Sequence, residues 1–333
     1  MDAPPVRYAR TTDGYDIAYT DTGAGMPLVI VPVHLSHVEN DWLQTAAAQP
    51  WLHGLSQRFR LIQYDPRGQG MSTRGLPAAS ARDDWLRDLD ALVEKLRLDR
   101  FVLMGVNILG HLAPVYAARH PERLHALILM NCRVSVAGWM DPLVDQSWDL
   151  FLETQVPRGT PPDIRDAELA RLRQAADRTD FLTFLRAFST SDISEDARAI
   201  KSQTLLLHGR QLPWFGPEQA RILAAQIENA QLVLIDGAIM PNAAQGLSAI
   251  DGFIANLESS SASKEGGPLP NVLSSRQIEV LRLIGAGCTN RQIANQLVLS
   301  ERTVERHVAD IYARLQLTNR AQAAVYAQQR GLV

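Results

Sequence analysis

The sequence predicts an α/β protein: a mostly parallel sheet with a helical cap, followed by a small all-helical domain. Three observations predict it. Continuous apolar runs of strand length alternate with amphipathic helical patterns over the first 255 or so residues. A stretch rich in Ser, Gly and Pro, "NLESSSASKEGGPLPN" (256–271), then interrupts all apolar periodicity. The remaining residues carry a helical period throughout, with Ile278, Leu281 and Ile284 in one repeat and Val304, Val308, Ile311 and Leu315 in another.

Taken in order, the first domain opens with the strands "DIAYTDTG" and "PLVIVPV". A helix around "WLHGLSQRF", a strand "RLIQYD" and a helix "DDWLRDLDALVEKLRL" follow. Next come the strand "RFVLMGV", a helix over 108–119 and the strand "HALILMN". Residues 133–200 break the alternation and read as amphipathic helix, with "TPPD" as a helix start. Alternation resumes at "SQTLLLHG", "GPEQARILAAQIEN" and "AQLVLID". A helical insertion between late strands is expected over the C-terminal edge of the sheet, where α/β proteins bind ligands. The expected divisions are 1–257 for the α/β domain, with its cap at about 133–200, then a flexible linker over 258–270 and the helical domain over 271–333.

Composition narrows the function. Of 333 residues, 46% are hydrophobic and 21% charged, the balance of a globular chain with a sizeable core. No apolar stretch reaches membrane-span length, and the N-terminus lacks the pattern of a signal peptide. The two cysteines, Cys132 and Cys288, fall in different domains, which points to free thiols and a cytoplasmic location. Net charge is −3, but from Asn271 onward eight Arg stand against four acids. That end is therefore +4 and the rest −7, an acidic body with a tail suited to a polyanion.

The segments "LVIVPVHLSHVENDW", "LIQYDPRGQGMS", "FVLMGVNILG", "HPERLHALILMN" and "TLLLHGRQ" occur in an order and spacing that resembles the α/β-hydrolase fold over roughly residues 7–256. The resemblance implies a nucleophilic Ser in a G-x-S-x-G turn, an acid after a late strand and a His after the last strand. At those positions this sequence carries Asn107 (in Gly105-Val106-Asn107-Ile108-Leu109), Leu212 and Met240. The oxyanion-loop His-Gly that the resemblance implies is Pro32-Val33. A carboxamide is not a usable nucleophile, Leu cannot orient an imidazole, and Met cannot shuttle a proton. The expectation is a non-catalytic domain whose substrate pocket has become a ligand pocket. Its expected wall is Val33, His34, Asn107, Ile108, Leu212, Trp214 and Met240, with Trp139 and Trp148 of the cap closing it. The loss of polar triad members favours a small apolar or aromatic ligand with one or two polar groups. Ser36 and His37 are the residues that a substitute catalytic site would use. His34-x-x-His37 has metal-ligand spacing but no third ligand, so neither a metal nor a cofactor is expected. "DPRGQGMS" reads as a structural turn.

The C-terminal stretch "LSSRQIEVLRLIGAGCTNRQIANQLVLSERTVERHVADIYARLQLTNRAQAAVYAQQRGLV" carries the most specific pattern. Helix, tight turn and a basic second helix make a helix-turn-helix layout, with Ser300 as N-cap. Leu273, Glu279, Val280, Leu281, Gly287, Asn290, Ile293, Ala294, Leu297, Ser300, Thr303, Val304, His307, Ile311, Leu315 and Asn319-Arg320-Ala321 resemble the LuxR-type DNA-binding domain over its full length. The resemblance implies double-stranded DNA as partner, a homodimer and contact with RNA polymerase. The recognition helix is expected over Glu301–Leu315, with Glu305 and Arg306 reading bases. Thr289, Asn290, Arg291, Thr303 and His307 are expected at phosphates. Together these readings imply a transcription regulator with a ligand-sensing α/β-hydrolase-like domain; the alternatives are a hydrolase-like enzyme with a noncanonical site tethered to a DNA-binding domain, and a ligand-independent regulator that uses the hydrolase fold as a dimerisation scaffold.

Overall fold

The computed structural model describes residues 3–43, 48–136, 141–156, 159–212, 215–237, 241–264, 273–315, 317, 319–329 and 332. It divides into two compact units, Met1–Asp251 and Gly252–Val333.

The first unit is built on one eight-stranded sheet. In chain order the elements are β1 (Arg7–Arg10), β2 (Asp16–Thr22), β3 (Pro27–Val31), α1 (Asn40–Leu43), α2 (Gln49–Ser56), β4 (Arg60–Tyr64) and α3 (Arg82–Leu96). There follow β5 (Phe101–Val106), a 3₁₀ turn (Leu109–His111), α4 (Leu112–Arg119) and, after a second 3₁₀ turn, β6 (Leu124–Met130). Five cap helices stand before the next strand: α5 (Asp141–Gln146), α6 (Trp148–Gln155), α7 (Pro162–Ala175), α8 (Arg178–Phe188) and α9 (Ser194–Ala199). The chain returns through β7 (Thr204–Gly209), α10 (Pro217–Gln226), β8 (Ala230–Ile235) and α11 (Ala243–Lys264).

The strand order is β1-β2-β4-β3-β5-β6-β7-β8. Pairings from β4 to β8 are parallel, and β1 and β2 join antiparallel. Every residue of β5 and of β7 is buried, as continuous apolar strands must be when both faces of a parallel sheet are covered. The strand β1 escapes pattern reading because only Ala9 of its four residues is buried. It lies at the sheet edge, where one inward side chain suffices.

The turn after β5 is compact. A Cβ on Gly105 would lie 2.7 Å from the Gly110 carbonyl oxygen and 2.8 Å from the Ala113 Cβ, and a Cβ on Gly110 would lie 2.6 Å from Cys132 Sγ. The helix expected over 108–119 accordingly begins as the 3₁₀ turn and becomes α-helical only at Leu112. On the other side of the unit, α2 and α11 approach closely: a Cβ on Gly54 would meet Leu247 Cδ1 at 2.2 Å.

The expected linker over 258–270 needs correction. The helix α11 continues through 258–264 to Lys264, and the compact units divide at 251/252, inside that helix. Ser and Ala repeats lower apolar periodicity without breaking a helix, since neither residue removes a backbone donor. The remainder of that segment, 265–270, lies outside the described residues.

The second unit holds α12 (Ser275–Gly285), α13 (Asn290–Leu297), α14 (Glu301–Leu315) and α15 (Arg320–Gln329). Its core gathers Leu273, Val280, Leu281, Ile284, Ile293, Val304 and Ile311. Sequence sets the helix starts. Ser274 and Gln277 form one reciprocal capping box, Thr289 and Gln292 a second, and Ser300 Oγ accepts from Thr303 N at 3.1 Å. The observed α14 has the bounds expected for the recognition helix.

Candidate functional site

The C-terminal ends of β3 and β5 adjoin in the sheet, with Val31 opposite Gly105. The loops that leave these ends carry His34 and Asn107. Asn107 takes φ 53° and its backbone N–H donates to the Met130 carbonyl at 3.0 Å. Asn is among the few side chains that tolerate this left-handed conformation, so Asn107 can hold the sharp turn. Asn107 is buried, and its Oδ1 has no hydrogen-bond partner. Ile108 is half-buried and packs on the main core, while Val33 is half-buried and Leu212, three residues beyond Gly209, is buried. Trp139, Trp214 and Met240, expected in the same wall, lie outside the described residues.

The cap contributes Trp148, which the sequence singled out, and Phe151, Gln155 and Phe181, which it did not. Trp148 stacks on Phe151 with ring centroids 5.5 Å apart and meets Phe181 at 5.4 Å; Phe181 in turn lies 6.0 Å from the His34 ring. One aromatic series therefore joins the cap to the β3 loop. His34 Nε2 lies 3.1 Å from Gln155 Oε1 on α6. Burial holds the His34 imidazole below its ordinary pKa, against the opposing pull of Gln155, so the ring is neutral.

A buried ionic group ties α7 to the same loop. Arg171 reaches Asp41 Oδ1 at 3.3 Å, the Leu35 carbonyl at 3.3 Å and Glu168 Oε1 at 2.6 Å. Burial lifts the Asp41 carboxyl to about 7, with Arg171 pulling the other way. Asn40 Nδ2 donates to Gln174 Oε1 at 2.8 Å. Glu168 is a helical neighbour of Arg171, but no periodicity signals the other partners, because each of those pairs is more than a hundred residues apart in sequence.

The Gly-rich turn after β4 is structural, as its sequence suggested. Asp65 accepts from Val38 N at 2.9 Å, Met71 N at 2.8 Å and Ser36 Oγ at 3.2 Å. Gly70, at φ 49°, leaves room for that carboxylate, since a Cβ there would sit 2.0 Å from Asp65 Oδ2. Ser36 is fully buried with its hydroxyl committed to Asp65, and His37 Nδ1 accepts from Asn40 N at 3.3 Å. Cys132 is buried, and burial pushes its thiol up to about 12, so it behaves as core. Among the described residues no group of three or more His, Cys, Asp or Glu could hold a metal ion.

In the second unit, Val304, Val308 and Ile311 turn α14 into the core, which leaves Glu305 and Arg306 exposed. Thr303 Oγ1 lies 2.8 Å from Ser300 Oγ, and His307 is half-buried with Nδ1 unpartnered. Thr289 caps α13, and Arg291 is exposed 4.0 Å from Glu301. Asn290 Oδ1 accepts from Arg320 Nη1 at 2.9 Å, and Arg320 also donates to the Cys288 carbonyl. The Asn290–Arg320 pair thus has a structural task inside the domain. The turn between α13 and α14 places Val298 at φ 53° with 90% of its surface exposed.

Residues 42–174 match the family described as alpha/beta hydrolase fold, and residues 271–327 match bacterial regulatory proteins, luxR family. The 2-hydroxy-6-oxo-2,4-heptadienoate hydrolase of Pseudomonas putida is 29% identical over 240 residues, 66% of this chain and 84% of that protein. The transcriptional regulatory protein LiaR of Bacillus subtilis is 41% identical over 61 residues, 18% of this chain and 29% of that one. Among solved structures, the enol-lactonase from Burkholderia xenovorans LB400 superposes with a TM-score of 0.63 at 22% identity, over 75% of this chain and all of that chain, which shows the fold. The chain joins an α/β-hydrolase-fold domain to a C-terminal LuxR-type DNA-binding regulatory domain. No helix among the described residues is long and apolar enough to cross a membrane.

Proposed function

We propose that this regulator senses a small apolar or aromatic ligand with its α/β-hydrolase domain and does not turn that ligand over. The observation that carries the reading is Asn107, buried at φ 53° on the turn after β5, where a hydrolase would raise its nucleophile. Leu212 after β7 supports it by offering no carboxylate, and Met240 at the third position offers no base. The aromatic series from Trp148 through Phe181 to His34 gives the site apolar walls. A regulator gains from binding its signal without consuming it. The ligand must favour one state of the protein over another, or nothing is switched.

On the DNA side, Arg306 pairs with a guanine O6 and N7, and Glu305 accepts from a cytosine N4. Thr289, Asn290, Arg291, Thr303 and His307 hold phosphates. The protein acts as a homodimer on a two-part site and addresses RNA polymerase from there. The test is a thermal-melting screen of the full-length protein against small apolar and aromatic compounds, each hit then re-extracted and weighed. A stabilising compound recovered unchanged is the expected result. Recovery of a hydrolysis product sinks the non-catalytic reading.

A further inference from the structure

We propose that the ligand site beside the β5 turn takes its ligand through a polarised O–H or N–H group donated to Asn107 Oδ1 and His34 Nδ1, and not through an ester or carboxylate oxygen. The inference rests on the ligand-sensing reading above and adds the chemistry of the signal.

The proton positions follow from a run of hydrogen bonds. Thr154 Oγ1 donates to the Phe151 carbonyl at 2.6 Å, so toward Gln155 it can only accept. Gln155 Nε2 donates to that Thr154 Oγ1 at 2.9 Å, which turns Gln155 Oε1 toward His34. Oε1 is an acceptor, so His34 Nε2 carries the proton of the neutral ring. Nδ1 is left as a bare lone pair. It is buried and has no partner.

Asn107 Oδ1 is a second acceptor in the same condition, buried and unpartnered. The two residues rise from one point on the sheet edge. Val31 and Gly105 are register partners on adjacent parallel strands, His34 is three residues past the one and Asn107 two past the other. Buried polar atoms are ordinarily paired, so two open acceptors on loops that leave adjacent strand ends describe what is to be supplied. A hydroxyl or N–H satisfies them. A carbonyl or carboxylate oxygen would bring further lone pairs against them. This polarity is the inverse of an oxyanion hole, whose donors await an oxygen of the substrate.

The experiment titrates the full-length protein with matched probes, phenol against anisole and benzyl alcohol against benzyl methyl ether, with benzoate as the anionic arm. Melting temperature and dissociation constant are read for each. The hydroxyl member of each pair is expected to bind about tenfold more tightly than its methyl ether, the weight of one net hydrogen bond. Benzoate is expected to bind worst. Asn107→Gly keeps the left-handed turn, and His34→Phe keeps a ring against Phe181. Each variant should bring the hydroxyl-to-ether ratio toward one. Equal binding of ether and hydroxyl to the wild type overturns the donor assignment and leaves the sensor reading standing. A ratio that persists in both variants overturns the assignment to these two atoms. If no probe shifts the melting temperature of the full-length protein, the sensor reading falls with it.

Discussion

At the scale of single residues, the structure sets local cost against local use. Val298 is β-branched and sits at φ 53° with no packing to hold it there. A left-handed residue costs about 1–2 kcal/mol, and Gly returns part of that gain as chain entropy. Val298→Gly should therefore stabilise the LuxR-type domain by about 0.5–1 kcal/mol in chemical denaturation. Asp41 makes the reverse kind of statement about pH. Its carboxyl ionises near 3.8 when unfolded and at about 7 when buried in the fold. Between those values the folded state binds more protons than the unfolded state, so the contribution of Asp41 to stability falls as pH rises from about 4 to about 7. Asp88, lifted by burial to about 7 as well, adds a slope of the same sign. Asp41→Asn should flatten the pH dependence of the melting temperature across that window and leave the Asp88 share. An unchanged slope would mean that Asp41 is ionised throughout.

At the scale of elements, the cap and α14 each hang on a few side chains. Arg171 carries α7 onto the β3 loop through Asp41 and the Leu35 carbonyl. Replacing it by Met leaves Asp41 buried without its cation, which ordinarily costs about 3–5 kcal/mol. Arg171→Met should lower the stability of the α/β domain by that order and leave melting of the LuxR-type domain unmoved. In α14, burial of Val304, Val308 and Ile311 decides which side chains face outward. Arg306→Ala should weaken a specific site by about 1–3 kcal/mol and loosen base preference. Equal weakening on specific and random DNA, read by titration at fixed salt, would count against Arg306 as the base-reading residue.

At the scale of the whole molecule, two compact units each close a hydrophobic core of their own. Calorimetry of the full chain should resolve two transitions. A ligand at about a hundred times its dissociation constant adds roughly 2.7 kcal/mol to the unit that binds it. That gain should appear in the α/β transition alone, and a shift of both transitions together would argue for direct coupling. Much of this organisation is legible in the chain. Buried strands such as β5 and β7 are continuous apolar runs, and the cap at Ser300 announces α14. Less legible were β1, whose single buried residue gives no alternation, and the 258–264 part of α11, whose Ser and Ala carry no apolar stripe.

The sequence by itself determined the two domain classes, the bounds of α14 and the residue types at the three positions where the hydrolase resemblance implies a triad. Those depend on composition, periodicity and motif spacing, which are local properties of the chain. Only the tertiary structure decided that Ser36 is spent on Asp65, that Arg171 locks the cap, and that His34 and Asn107 present open acceptors on loops that leave neighbouring strands. Such facts are long-range. A hydrogen bond has two ends, and whether a polar atom is satisfied depends on a partner that may stand a hundred residues away and is brought near only by the packing of sheet and cap.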